Sequence, residues 1–209
     1  MNEDRQKERK ANEPEVVAGG WLAKLSSLDA MVVARPDEDL KTLLKELHAL
    51  KIRTRHIWPT PGIMPQATDL LICDYTPELT HSFTWFPGTP PMALMVLVRQ
   101  NENVDIDKLA SMVPDAVLAL PAMSTAIRAN LMMAVSQFRF GQRLRAKVER
   151  LEENIRSFRL IERAKTIMMA QKQIDDVSAY QAIRQLAMDK RVSVAVIAAA
   201  IIDSSELLG

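Results

Sequence analysis

The sequence predicts an α/β doubly wound N-terminal domain, a long coiled-coil helix and a C-terminal domain of three helices. Short apolar runs alternate with amphipathic stretches over residues 20–123. A stretch without proline at residues 124–160 carries a heptad pattern, and residues 161–209 have alanines and apolar residues at helical spacing. We therefore divide the chain at these boundaries, after a charged tail at residues 1–19.

Four apolar runs predict the strands of the N-terminal domain. They lie at residues 30–34, 70–73, 93–98 and 116–120, and a weaker alternating pattern occupies residues 52–58. After the first run, Asp37 precedes leucines at helical spacing, which indicates a helix with an acidic first turn. Strands that are apolar on both faces, with helices between them, are typical of a parallel sheet that is covered on both sides.

The composition excludes several classes of protein. The net charge of +1 does not by itself indicate a nucleic-acid partner, and the single cysteine, Cys73, allows no internal disulfide. The apolar stretches fall short of the roughly 20 residues that a membrane span needs. Residues 1–19 have the composition of a disordered tail and not of a signal peptide. We expect a cytoplasmic protein that is not an enzyme and has no metal or cofactor, because the three histidines lack a nucleophile or ligand set at a recognisable spacing.

The segment at residues 124–160 has the pattern of a coiled coil. Apolar residues recur at spacings of 4, 3, 4 and 3, with valine or isoleucine at one core position and leucine or phenylalanine at the other. This choice favours two parallel strands, so we predict a homodimer, with a single helix packed on its own domain as the alternative. An earlier apolar series is out of step near Gly141, which indicates a kink or a break there. The predicted dimerisation residues are Leu144, Val148, Leu151, Ile155 and Phe158.

The two halves of the chain differ in charge. Residues 31–138 have nine basic and eleven acidic side chains, a net charge of −2, whereas residues 139–191 have thirteen and seven, a net charge of +6. Such asymmetry is typical of a half that meets a polyanion, although a solvated helix also has many charges. In the last segment, Asp175 or Asp176 and Ser193 are suited to cap two helices.

The order of elements around Asp74 resembles the receiver domains of response regulators. In that family a strand ends in an aspartate that accepts a phosphoryl group, and Asp74 stands at this position. The family also has an acidic pair after the first strand, a serine or threonine after the fourth and a lysine before a proline after the fifth. This chain has Ala34 and Arg35, Val98 and Leu120 at those places.

Without the acidic pair, a phosphoryl pocket loses the Mg²⁺ that supplies its main electrostatic stabilisation. We therefore expect a pseudo-receiver in which Asp74 is a vestigial phosphoacceptor. The expected state of Asp74 is a strand-end acid on the surface, with Arg35 as its candidate partner.

The C-terminal segment resembles the ANTAR domain. The matching positions are residues 161–165, 167–169, 179–180, 183–184, 186–188, 194, 197–198 and 201–202. Thr166 departs from the family, which usually has glycine there, so we expect local packing to differ.

The ANTAR resemblance implies a dimer that binds stem-loop RNA in a leader transcript and so prevents a terminator from forming. The candidate RNA-binding residues are Arg163, Lys165, Arg184, Lys190 and Arg191. Tyr180 is assigned to the helical core through its neighbour Ile183, with stacking on a loop base as the alternative.

The whole order of pseudo-receiver, coiled coil and ANTAR domain resembles the AmiR-type antiterminators. That resemblance implies control by an AmiC-like ligand-sensing protein and not by phosphorylation. A loop with Phe83, Trp85 and Phe86 is a candidate docking patch, unless it folds back onto the sheet. Two alternatives stay open: a phospho-regulated or DNA-binding response regulator, and a protein-interaction dimer. Residues 194–202 have no charged side chain, which argues against a DNA recognition helix.

Overall fold

A computed structural model of the protein describes residues 20–64, 67–100 and 102–208. The chain forms two compact units, of which the first ends at Gly141 and the second begins at Gln142. The predicted doubly wound domain, long helix and C-terminal helices are confirmed. The predicted disordered tail at residues 1–19 lies outside the described residues.

Five parallel strands form one sheet in the order β2-β1-β3-β4-β5. The strands are β1 (Asp29–Val33), β2 (Arg53–Ile57), β3 (Leu70–Asp74), β4 (Ala93–Arg99) and β5 (Ala116–Leu120). In doubly wound sheets of this order, ligands bind beyond the carboxyl ends of the strands, where the strand order reverses. Here the order reverses between β1 and β3, beside the candidate phosphoacceptor.

Burial on both faces explains the apolar composition of the central strands. All five residues of β3 and six of the seven residues of β4 are buried. Alternate residues of β1, β3 and β4 enter two apolar clusters, one on each face of the sheet, whereas β5 is buried on one face only. Cys73 lies in one of them, and burial raises the pKa of its thiol above the usual range, so the thiol stays protonated.

One face of the sheet is covered by α1 (Gly20–Ser26), α2 (Glu38–Ala49) and the first part of α4 (Ser124–Lys172). Asp37 caps α2, since its carboxylate accepts a hydrogen bond from the N–H of Leu40 at 2.9 Å. Caps of this kind stabilise a helix by about 1 kcal/mol. Leu40, Leu43 and Leu47 are buried at the predicted helical spacing.

The other face is covered less regularly. It has the short helix α3 (Ile106–Ser111), and the loop from β3 to β4 contains a 3₁₀ helix (Leu79–Ser82). Phe83 and Trp85 stack with their ring centroids 4.6 Å apart and pack against this face, whereas Phe86 is exposed. Two aromatic rings of the candidate docking loop therefore fold back onto the sheet.

Helix α4 runs from Ser124 to Lys172 as one helix, and the boundary between the two compact units falls at Gly141, where the sequence predicts a change of packing surface. Glycine in a helix costs about 1 kcal/mol relative to alanine, which is too little to end a helix of this length. Among the described residues, no helix is both long and apolar enough to cross a membrane.

The second unit packs the end of α4 against α5 (Asp176–Lys190) and α6 (Val194–Leu208). Asp175 caps α5 by accepting the N–H of Ser178 at 2.8 Å, and Ser193 caps α6 through the N–H of Val196 at 3.3 Å. Both caps are as predicted. The hydrogen bonds from Ser178 lower the pKa of Asp175, which keeps the cap ionised.

The face of α5 that enters this core differs from the predicted one. Ala179, Ile183 and Ala187 are buried, whereas Tyr180 is 41% exposed. The assignment of Tyr180 to the core is therefore wrong, because the small side chains of the two alanines allow close packing on their side of the helix. Thr166 is exposed, and its hydroxyl donates to the carbonyl of Glu162 at 3.0 Å, so the expected disturbance of packing does not arise.

Candidate functional site

The carboxyl ends of β1, β3 and β4 bring four charged side chains together. Asp74 ends β3, Arg99 ends β4, and Arg35 and Asp37 follow β1. These strands are neighbours in a parallel sheet, so their carboxyl ends lie at the same edge. This edge is where the sequence predicts a vestigial phosphoacceptor.

Arg99 binds both acids of this group. Its Nη2 donates to the two carboxylate oxygens of Asp74 at 3.0 and 3.1 Å, and its Nη1 forms an ion pair with Asp37. Arg99 is 8% exposed and Asp74 is 7% exposed. A buried charge pair depends on both partners, since removal of either leaves the other charged and desolvated. We call this group the Arg99 cluster: Arg99, Asp37 and Asp74.

The expected surface position of Asp74 is wrong, and its contact with Arg35 is made by the backbone and not by the guanidinium. The backbone N–H of Arg35 donates to Asp74 Oδ2 at 2.7 Å, while the Arg35 guanidinium pairs with Glu102 at 2.8 Å. Val98 stands at the position of the receiver serine or threonine, so the resemblance to receiver domains does not draw attention to its neighbour Arg99. The sequence pattern that could have identified this pair is an arginine at the end of one buried strand and an aspartate at the end of another.

The Arg99 cluster does not fit phosphoryl transfer to Asp74. Both carboxylate oxygens of Asp74 accept hydrogen bonds, and a guanidinium lies where a Mg²⁺ would have to bridge the acids. The adjoining cleft of about 360 Å³ is lined by two arginines and three acids, so it has no excess positive charge to hold a phosphoryl group.

Two of the five candidate RNA-binding residues are already paired with acids. Arg163 contacts Glu206 at 2.6 Å. Lys165 is 9% exposed, and its Nζ lies 2.7 Å from Asp176 and 2.9 Å from Glu162. Its hydrogen bonds to Asp176, and to a smaller extent to Glu162, raise the pKa of the ammonium. Lys165 therefore joins α4 to the start of α5.

The other three candidates, Arg184, Lys190 and Arg191, are exposed. None of them has an ion-pair partner in the part of the chain that the structure describes. Arg191 follows the last residue of α5 in a left-handed conformation, with φ of 53°. Of the five candidates, these three are thus the ones that are exposed and without an ion pair among the described residues.

The candidate dimerisation residues lie on an exposed part of α4. Residues 146–156 are exposed on all sides of the helix. The five apolar side chains of the predicted seam are between 47% and 64% exposed, and none of them enters the core of the second unit. The alternative was a single helix that packs these side chains on its own domain. No contact within the second unit supports that alternative.

Comparison with known proteins identifies both parts of the chain. The family model described as AmiR, N-terminal matches residues 28–135, which is just over half of the chain, and the ANTAR domain model matches residues 149–202. The aliphatic amidase regulator of Pseudomonas aeruginosa is 24% identical over 195 residues, covering 92% of this chain and 96% of that protein. The chain therefore belongs to the AmiR family and is an AmiR-like regulator with a C-terminal ANTAR domain.

Proposed function

We propose that this protein is a transcription antiterminator that binds stem-loop RNA in a leader transcript as a dimer. In this proposal an AmiC-like ligand-sensing protein controls it in place of phosphorylation. The ANTAR domain and the likeness to the amidase regulator support regulation of transcription antitermination. The observation that best supports RNA binding is that three candidate cations in the ANTAR domain, Arg184, Lys190 and Arg191, are exposed and have no ion-pair partner among the described residues.

These cations suit the chemistry of a folded RNA. An RNA duplex hides its base edges in a deep and narrow groove, so small domains contact its phosphates and its unpaired loops. Cations that are already paired with acids contribute little, since the acid must first be displaced. We therefore assign phosphate contacts to Arg184, Lys190 and Arg191 before Arg163.

Dimerisation would place two ANTAR domains on one transcript. The exposed seam from Leu144 to Phe158 supports a parallel pair of α4 helices. Binding of two linked stem-loops by two linked domains raises the overall affinity without new contacts, because the second binding step is intramolecular.

Control by a protein partner agrees with the Arg99 cluster. Arg99 neutralises Asp74, so the acid is not available as a phosphoacceptor. A ligand-sensing protein that binds only the RNA-free form would hold the regulator silent, and its ligand need only weaken that complex to shift the population.

The leader RNA of the operon that encodes this chain is the probe that tests the proposal. In a gel-shift titration of the intact protein, we expect tighter binding to leader stem-loops than to duplex DNA, with an affinity that falls as salt increases. Acetyl phosphate with Mg²⁺ should change neither the mass of the protein nor its affinity. Tighter binding to duplex DNA would favour a DNA-binding regulator, and a phosphorylated Asp74 would restore the phospho-regulated alternative.

Lys165 is expected to support RNA binding by fixing α5 in place. Lys165→Glu should break its ion pairs with Asp176 and Glu162, speed amide hydrogen exchange at Ile183 and Ala187, and weaken RNA binding. The exchanged pair, Lys165→Glu with Asp176→Lys, should restore most of the protection and most of the affinity. Protection that returns without RNA affinity would instead identify Lys165 as a direct phosphate contact.

A further inference from the structure

We infer that one face of α5 is a platform on which an unpaired base of the RNA loop stacks. In this inference, which rests on the proposed RNA binding, Tyr180 is the stacking residue and Arg184 and Arg191 contact the flanking phosphates. We call this surface the α5 face: Val177, Tyr180, Arg184, Met188 and Arg191.

The members of the α5 face share one side of the helix. Val177, Tyr180, Arg184 and Met188 fall within an arc of about 80° at 3.6 residues per turn, and Arg191 follows at the helix end. Val177 is 61%, Tyr180 is 41% and Met188 is 55% exposed. Arg184 and Arg191 are also exposed.

The two acids of α5 are each engaged by another side chain. Asp176 pairs with Lys165 at 2.7 Å. Asp189 accepts a hydrogen bond from Gln185 at 2.9 Å on the other side of the helix. The α5 face therefore has two cations and no acid, which favours a polyanion over a protein surface of mixed charge.

An exposed tyrosine between cations fits an unpaired nucleobase. In a duplex, bases are stacked on each other, so an aromatic side chain reaches a base face only in a loop, a bulge or a single strand. Within the described residues, the Tyr180 hydroxyl has no hydrogen-bond partner, and 41% of the residue is open to solvent. Stacking on tyrosine is tolerant of sequence, whereas the arginines hold the backbone on either side.

The experiment uses the intact chain and two RNA probes: a pool of hairpins with one stem and a randomised loop, and the same stem as a blunt duplex. We expect Tyr180→Ala to weaken binding of the hairpin pool by roughly 5- to 150-fold and to leave duplex binding unchanged. Tyr180→Phe keeps the ring and should bind like the unmodified protein. Gln185→Ala, on the other side of α5, is the surface control.

A spectroscopic measurement separates stacking from a general loss of structure. With 2-aminopurine in the loop of a selected hairpin, binding of the unmodified chain and of Tyr180→Phe should quench its fluorescence, and Tyr180→Ala should not. Circular dichroism should be the same for all variants, since Tyr180 lies outside the buried core.

The outcomes distinguish this inference from the proposed function. If the unmodified protein binds the hairpins and Tyr180→Ala binds them equally well, only the α5 platform is overturned. If the unmodified protein binds neither hairpins nor leader RNA, the proposed function falls as well. Loss of binding to a sensor protein, with RNA binding intact, would identify the α5 face as a protein contact and overturn the inference.

Discussion

Arg99→Met is expected to lower the free energy of unfolding of the first unit by about 3–5 kcal/mol. The substitution leaves Asp74 buried beside the backbone of Arg35 without a cation to balance its charge. It also removes the ion pair that joins the ends of β3 and β4 to Asp37 at the start of α2. Urea unfolding followed by tryptophan fluorescence measures this loss, because Trp21, Trp58 and Trp85 all lie in the first unit.

The matched control for Arg99 is Arg55→Met. Arg55 contacts Asp29 at 3.3 Å, but about half of its side chain is exposed, so its loss should cost under about 1 kcal/mol. Adding Asp74→Asn to Arg99→Met should recover part of the stability, since the buried group is then neutral. If Arg99→Met were no less stable than Arg55→Met, the cluster would not stabilise the domain.

The second large effect is expected from Leu151→Asp in the predicted seam. Burial of a leucine side chain contributes about 1.5–3 kcal/mol, and a dimer loses two copies, so dissociation should become easier by roughly 10²- to 10⁴-fold. Leu151 is 52% exposed in the single chain, so each protomer should keep its fold. Light scattering across a dilution series measures the change in mass.

Ala146→Asp is the control for the seam, because Ala146 is exposed on the opposite side of α4 and the substitution adds the same charge. It should leave the dimer intact. The Leu151 variant should also bind an RNA with two stem-loops no better than an RNA with one, since avidity is lost. An unmodified chain that is monomeric at all concentrations would contradict the predicted dimer outright.

Local pattern predicted most of the fold. The buried strands of a parallel sheet must be apolar on both faces, so β3 and β4 are visible as short continuous runs. The caps Asp37, Asp175 and Ser193 are visible because a cap is a property of three or four successive residues. The connection from β3 to β4 was predicted only as a loop, because its four-residue 3₁₀ helix is too short to show a period in the sequence.

The surroundings of the candidate site residues could not be predicted, because they depend on contacts between residues that are far apart in the sequence. Tyr180 was assigned to the core because it lies three residues before Ile183, yet a small rotation of α5 buries Ala179 in its place. Lys165 resembles any other helical cation until its position against Asp176 at the start of the next helix is known. Periodicity identifies an amphipathic helix, but which edge of its apolar face is buried depends on the shape of its neighbours.

The sequence by itself determined the doubly wound domain, the long helix and the ANTAR segment, because these follow from hydrophobic period and from motifs within short windows. It also determined that the acidic pair of a receiver domain is missing directly after the first strand. Only the tertiary structure decided that Arg99 neutralises Asp74. That contact joins residues 25 positions apart and depends on the register in which β3 and β4 pair side by side.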